Sequence, residues 1–348
     1  MKTMLVLSMG ALLLAGTLSA QTPVPEWQAG VDKVKNLIQS NPAQASEEAG
    51  ELLKGKNKKN VDLVTSVAHV YLDAGKITEA QEYLAMAKKA NNKDPKVSVL
   101  EGDIALAQKN IGQACQLYEQ AIYFDPNCKE AYLKYAQAYK SASPTQAIEK
   151  LEQLKAVDPN CLEADRELAE VYYSGNRFGK AAEMYAKFID TPLATEDDML
   201  KYAFALFLNH DFEKSLQVAQ KGLQKNARHA AFNRLVMYNN TDLKRYEDAE
   251  KAADAFFNAS DRADYSYLDY RYYGALLSAL KKYDKAIIEY GKALDKDDTQ
   301  VDLWREISDA HEMNNNYAEA IAAYRKYYDA LAKEKKTPET LFQLGRLY

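Results

Sequence analysis

The chain has 348 residues, with 45 basic and 50 acidic side chains and a formal net charge of -5. This acidic balance argues against nucleic acid or an anionic membrane surface as the main partner. A hydrophobic share of 47%, with only 14 glycines and 9 prolines, indicates a folded chain of long helices joined by short turns. Because runs of β-branched residues are scarce, we predict an all-α fold.

The first segment, residues 1–20, has the pattern of a secretory signal peptide. A basic start is followed by an apolar run from Met4 to about Leu14 and by small residues that end at Ala20. The apolar run is too short to span a bilayer. We therefore expect an exported protein with no transmembrane segment in the mature chain, soluble in the periplasm if the source is Gram-negative.

Residues 24–60 have the pattern of a helical hairpin. One helix is predicted from Trp27 to Ile38, a break at Ser-Asn-Pro follows, and a second helix is predicted from Ala43 to Lys54. The apolar spacing is looser here than in the rest of the chain. We interpret the segment as an N-terminal cap or a degenerate repeat.

Residues 61–336 contain eight copies of one pattern, in which a small residue opens the second of two helices. Steps of 33 to 37 residues separate its copies: Ala80, Ala114, Ala147, Ala181, Ser215, Ala249, Ala286 and Ala320. Small side chains that face each other, such as Gly274 and Ala286, let two helices approach closely. Since one hairpin cannot bury its own apolar face, the pattern predicts stacked antiparallel hairpins.

The tetrapeptide Asp-Pro-Asn-Cys recurs at the joints between repeats, from Asp125 and again from Asp158. Proline cannot continue a helix, so this tetrapeptide is expected to close one hairpin and lead into the next. Its cysteines, Cys128 and Cys161, occupy equivalent places at least one helix-packing distance apart, roughly 8–10 Å, which is too far for a disulfide. Cys115 opens a second helix, and we predict three thiols.

The repeats resemble the tetratricopeptide repeat (TPR) family. The resemblance rests on Trp304-x2-Ile307-Ser308-x2-His311, on Ala320-x3-Tyr324 and on the column of small residues, and it covers roughly residues 61 to 348. It implies a right-handed α-solenoid, the TPR superhelix, with a concave groove lined by the first helix of each hairpin. Such a groove implies a peptide or protein as the partner.

The sequence offers no catalytic constellation. Its four histidines lie in different repeats without a ligand partner at metal-binding spacing, and no phosphate loop or nucleophile motif occurs. We expect no enzyme activity, no cofactor and no metal, and we predict a non-catalytic protein–protein interaction scaffold or adaptor of the cell envelope. The alternative is a glycan-binding or glycan-processing accessory protein, suggested by 25 tyrosines, although most of these fall at packing positions.

The resemblance also indicates which positions face the groove, counted fifteen, eleven and eight residues before the small residue. Those selected are Arg166, Tyr173, Leu200, Phe204, Phe207, Arg234, Tyr238, Arg271 and Arg305. Arg234 and Arg271 have no carboxylate three or four residues away, so they are predicted to bind an acidic residue or a carboxylate of the partner. Phe204 and Phe207 are the predicted apolar anchors.

Two alternatives concern these candidates. Arg166 and Arg305 each have carboxylates at helical neighbour spacing, so both can be paired on their own helices. The two phenylalanines can instead pack against Ala219 and Ala253, small residues of the second helices. An interior role of that kind would remove the anchors from the groove.

Residues 337–348 repeat the first-helix pattern in Leu341-x2-Leu344-Gly345, without a second helix. We interpret them as the first helix of an incomplete ninth repeat. The expectation is that the natural chain continues past Tyr348 or that a partner covers this end.

Overall fold

The computed structural model describes residues 24–259, 264–332 and 335–347. In this part of the chain every regular element is a helix, which confirms the all-α prediction. None of the described helices is both long enough and apolar enough to cross a bilayer. The predicted signal peptide, residues 1–20, lies outside the described residues. The chain divides into two compact units, residues 1–125 and residues 126–348.

The first unit contains three helical hairpins in its described part. A short 3-10 helix, Gly55–Lys59, separates the first hairpin from the second. The hairpins are formed by α1 (Gln28–Ser40) with α2 (Pro42–Leu52), α3 (Val61–Asp73) with α4 (Ile77–Asn91), and α5 (Pro95–Ala107) with α6 (Ile111–Phe124).

The second unit contains six further hairpins and one last helix in its described part. They are formed by α7 (Lys129–Tyr139) with α8 (Pro144–Val157), α9 (Leu162–Ser174) with α10 (Phe178–Phe188), α11 (Glu196–Leu208) with α12 (Phe212–Lys225), α13 (Ala230–Asp242) with α14 (Tyr246–Asp254), α15 (Tyr267–Ala279) with α16 (Tyr283–Lys296), and α17 (Asp302–Met313) with α18 (Tyr317–Ala330), followed by α19 (Pro338–Leu347). A π-helical turn, Ala255–Ala259, extends α14.

The turn inside most hairpins places one residue in the left-handed backbone region. The residue is glycine at Gly75, with φ 74°, but elsewhere it carries a side chain: Lys109, Asn176, His210, Lys244, Lys281 and Asn315, with φ between 56° and 63°. The backbone reverses sharply here, and at the α15–α16 turn Lys282 N donates to Leu277 O over 2.8 Å. Each of these six side chains carries a conformational cost that glycine avoids.

Close approach of the paired helices depends on glycine at two equivalent positions. A Cβ placed on Gly274 would lie 2.6 Å from the ring of Tyr290, and one on Gly102 would lie 2.5 Å from the ring of Tyr118. The tyrosine stands one turn after the small residue of the second helix, which is Ala286 in the first case. The small pair predicted from the sequence is therefore completed by a ring that fills the space above the glycine.

The joints between hairpins differ from one another. After α6 and after α8, Asp-Pro follows the helix end, as the sequence predicts, and Cys128 and Cys161 are the residues directly before the next helices. At the earlier joint Asp94 instead begins α5, because its side chain accepts from Lys96 N and Pro95 takes the first helical position. Cys115, Cys128 and Cys161 are all thiols.

Candidate functional site

Five first helices of the second unit, α9, α11, α13, α15 and α17, carry all nine predicted groove residues. We call the face of these helices that holds them the first-helix surface. Leu200, Phe204, Arg234, Arg271, Arg166 and Tyr173 are half-buried, Arg305 is exposed, and Phe207 and Tyr238 are buried. The helix α13 contacts both α11 and α15 directly.

Arg234 is bound to the following hairpin. Its Nε donates to Asp269 Oδ1 over 2.6 Å, and its Nη2 donates to Asp269 Oδ2 over 3.0 Å. The same Nη2 also donates to the carbonyl oxygen of Asp264 over 2.8 Å. The interpretation of Arg234 as unpaired is therefore wrong, because its carboxylate partner stands 35 residues ahead in the chain and not on its own helix.

Asp269 is fully buried at the start of α15, and four groups satisfy it. Besides Arg234, the hydroxyl of Tyr238 donates to Oδ1 over 2.7 Å, and the backbone N and the Oγ of Ser266 donate to Oδ2. The last two bonds belong to a capping box that fixes the helix start. Burial and the adjacent Asp269 carboxylate raise the pKa of Tyr238 well above its usual range. The network holds α13 and α15 in register.

Arg271 is also paired, with Glu306 of α17. Its Nη2 donates to Oε1 over 2.6 Å and its Nε to the same oxygen over 2.9 Å. The hydrogen bond with Glu306 raises the pKa of the guanidinium. The partner again lies 35 residues ahead, so the interpretation of Arg271 as unpaired is wrong for the same reason. Unlike Asp269, Glu306 is partly exposed, and this pair lies nearer to solvent.

The two remaining arginines, Arg166 and Arg305, differ from each other in their contacts. Arg166 donates through Nε to Asp198 Oδ1 over 3.0 Å, so it too binds the next first helix and not its own. Asp198 is buried in a capping box with Thr195, as Asp269 is with Ser266. Arg305 places its guanidinium carbon 5.9 Å from the ring centroid of Tyr327.

The aromatic candidates belong largely to the interior. Phe207 is only 9% exposed, and its ring centroid lies 5.7 Å from Phe212, 5.6 Å from Tyr238 and 6.2 Å from Tyr272. The cluster that contains it also contains Ala219 and Ala253, the small residues named in the alternative interpretation, with Leu200 and Phe204 packed against its edge. Tyr173 packs edge-on against Phe178. The role of Phe204 and Phe207 as partner anchors stays a prediction.

A cavity of about 310 Å³ opens on the first-helix surface between α13, α15 and α17. We call it the Asp242 pocket. Its walls are formed by Thr241, Asp242, Leu268, Arg271, Tyr272, Ala275 and Glu306. The hydroxyl of Tyr272 donates to Asp242 Oδ2 over 2.9 Å, and the Tyr272 ring stacks on Tyr238 with centroids 4.0 Å apart. Burial raises the pKa of the Asp242 carboxyl, against opposing effects of Tyr272 and His210.

Only Arg271 among the nine predicted residues lines this pocket. Asp242 and Tyr272 were missed, although a signal existed in the sequence. Counting eight residues before Ala249 gives Thr241, a groove-facing position, and Asp242 is the next residue. Tyr272 is likewise the residue after Arg271. The side walls of a pocket come from residues adjacent to the groove-facing column.

A second cavity, of about 340 Å³, lies where α17, α18 and α19 meet. Arg346 on α19 closes one side by donating to both carboxylate oxygens of Glu312, over 2.6 and 2.8 Å. Arg305 and Asp309 line the other side, and burial raises the pKa of the Asp309 carboxyl. Among the described residues, no three His, Cys, Asp or Glu side chains converge to hold a metal ion.

The sequence profile named Tetratricopeptide repeat matches residues 68–128, 136–193 and 274–334, which together make just over half of the chain. The chain belongs to the tetratricopeptide repeat family. Its helical hairpins are the repeats of that family, and this membership supports a protein-interaction scaffold. No curated protein sequence matches the chain.

Solved structures with similar folds include several TPR proteins. A TPR protein from Parabacteroides merdae is 14% identical, with 72% of this chain and 98% of that chain covered and a TM-score of 0.44. PilF of Pseudomonas aeruginosa is 15% identical, with 60% and 96% covered and a TM-score of 0.47. PilW, described as a type IV pilus biogenesis factor, is 17% identical, with 57% and 92% covered and a TM-score of 0.46. The family assignment rests on the matched sequence regions and not on these structures.

Proposed function

We propose that the protein is a non-catalytic scaffold of the cell envelope that binds an extended segment of a protein or peptide partner along the first-helix surface from α11 to α17. The observation that carries the proposal is the Asp242 pocket, a cavity on that surface with both charged and apolar walls. Pockets of this kind bury a side chain and fix its orientation with a few polar groups. The half-buried Leu200 and Phe204 supply apolar area nearby.

The acidic group expected on the partner depends on Arg271 alone. Arg234 forms an ion pair with the buried Asp269. If Arg234 turned towards a ligand, the buried carboxylate would have no counter-charge. Arg271 is 38% exposed and Glu306 is 18% exposed, so a carboxylate of the partner could compete with Glu306 there. An acidic partner is therefore proposed only as a competitor at this one pair.

The envelope location is proposed from the signal-peptide pattern of residues 1–20. Fractionation of the source cells tests it directly. We expect the mature chain in the periplasmic fraction of a Gram-negative source, with residues 1–20 absent by mass spectrometry. Recovery of the uncleaved chain in the cytosolic fraction would contradict export.

The binding site is tested by filling the pocket. Ala275→Trp places a large ring at the wall of the Asp242 pocket, and the matched control Ala322→Trp places the same ring on the exposed side of α18. Crosslinking in envelope extract should enrich one partner with the wild-type chain and with Ala322→Trp, but not with Ala275→Trp. Equal enrichment by both variants would contradict a site at this pocket. A glycan array with the same proteins tests the glycan alternative.

A further inference from the structure

The charges around the Asp242 pocket do not balance, and this imbalance indicates what the pocket binds; the argument rests on the proposed function. Arg271 is the one cationic side chain in the pocket wall, and Glu306, also in the wall, neutralises it through two-point contact. The neighbouring Arg234 is neutralised in the same way by Asp269. Neither guanidinium therefore leaves a net positive charge for a ligand.

Asp242 is the remaining charge in the wall. Among the described residues its hydrogen-bond donor is the neutral hydroxyl of Tyr272, and it forms no ion pair with a lysine or arginine. The base that acts on it electrostatically is the imidazole of His210, from the turn between α11 and α12. Asp242 is exposed at the mouth of the pocket, and a carboxylate with one neutral donor retains acceptor capacity for a charged donor.

The rest of the wall suits an aliphatic chain. Leu268 and Ala275 are apolar, and the Tyr272 ring is held in place by its stacking on Tyr238. A cavity of about 310 Å³ is at the small end of ligand pockets, a size that suits a single long side chain. Lysine and arginine combine an aliphatic stem with a cationic head, and they bury the stem while the head stays polar.

We infer that the Asp242 pocket takes a lysine or arginine side chain of the bound segment. The stem lies against Leu268 and Ala275, and the cationic head donates to the Asp242 carboxylate beside the Tyr272 hydroxyl. The partner is then basic at this position, which is the opposite of the acidic group expected from the arginines. Electrostatic complementarity of this kind gives specificity to a groove that otherwise binds through apolar contact.

The test selects peptides from a phage-displayed random heptapeptide library on the full chain and measures the selected peptides by fluorescence anisotropy. We expect peptides that carry lysine or arginine. Asp242→Asn should weaken their binding by about three- to fivefold, since an ion pair with an exposed carboxylate is lost. The variant should melt no lower than the wild type, because the asparagine oxygen can still accept from Tyr272.

Asp284→Asn is the matched control. Asp284 also accepts one hydrogen bond from a neutral donor 30 residues ahead, the amide of Asn314, but it lies on the second helix α16. It should change binding less than about twofold. Replacing the peptide lysine by norleucine should weaken binding to the wild type and leave binding to Asp242→Asn unchanged. This result would identify the peptide lysine and Asp242 as binding partners.

The remaining outcomes separate this inference from the proposed function. Selected peptides rich in aspartate or glutamate, with binding lost in Arg271→Ala and kept in Asp242→Asn, would overturn the cationic assignment and keep the groove. Selected peptides that bind Ala275→Trp as tightly as the wild type would overturn both. A library that yields no saturable peptide would also overturn both.

Discussion

Replacing Arg234 by alanine should destabilise the protein strongly, whereas the same change at Arg271 should have a small effect. Both arginines make two-point ion pairs with a carboxylate 35 residues ahead, but the two carboxylates differ in burial. The Asp269 side chain is 0% exposed, and that of Glu306 is 18% exposed. Without Arg271, Glu306 can take water in place of the guanidinium. Without Arg234, Asp269 stays buried with an uncompensated charge.

The size of the effect follows from that difference. Breaking a buried ion pair by removing one partner costs about 3–5 kcal/mol. Asp269 keeps its bonds from Tyr238 and Ser266, so we expect the lower end, about 3 kcal/mol, for Arg234→Ala. An exposed pair contributes about 0–1 kcal/mol, which is the expectation for Arg271→Ala. For a unit of this size, about 3 kcal/mol corresponds to a melting temperature lower by about 6–12 °C.

Thermal melts followed by circular dichroism at 222 nm measure both variants under one condition. The double variant Arg234→Ala with Asp269→Asn should recover part of the loss, because the amide needs no counter-charge and can still accept from Tyr238. Equal melting temperatures for the two single variants would refute the argument from burial. A double variant less stable than Arg234→Ala alone would show that the charge of Asp269 is not the cause.

Three other predictions concern single positions. Gly274→Ala should lower stability by about 1–2 kcal/mol in urea titrations, because its Cβ meets the Tyr290 ring, while Gly291→Ala, with open space around it, should raise stability. Lys281→Gly should raise stability by up to about 1 kcal/mol, since it removes a side chain from a residue with φ 60°; a lower melting temperature would contradict this. Because the folded pKa of Asp242 is raised, its ionisation weakens the fold as pH increases through the acidic range. Asp242→Asn should therefore melt higher than the wild type at neutral pH and equally near pH 3.

The helices and their pairing could be predicted from the sequence, because both depend on local features. A small residue such as Ala286 and the turn before it recur at nearly fixed intervals, and backbone geometry converts that interval into hairpins. The ion pairs could not be found by searching three or four residues away, since they join successive repeats. Arg234 reaches Asp269 only because α13 and α15 lie side by side.

The candidate site was predicted only in part, again for a physical reason. Counting fifteen, eleven and eight residues before the small residue selects positions on one face of one helix, and this count selected Arg271. A pocket forms between helices, so its walls include neighbours such as Asp242 and Tyr272, whose positions depend on the offset between hairpins. The burial of Phe207 depends on the same offset, because its ring contacts two later first helices.

The ion pairs between an arginine of one hairpin and an aspartate of the next affect how the row of hairpins can change during evolution. Arg166 and Arg234 each pair with an aspartate near the start of the next first helix, Asp198 and Asp269 respectively. Each aspartate also belongs to the capping box of its helix. A hairpin duplicated or deleted between an arginine and its acceptor would leave one buried charge without its counterpart. The hairpins on either side of such a pair are therefore not freely interchangeable. We expect recombination to be tolerated at these two junctions, α9 to α11 and α13 to α15, only where an arginine and its acceptor are inherited together.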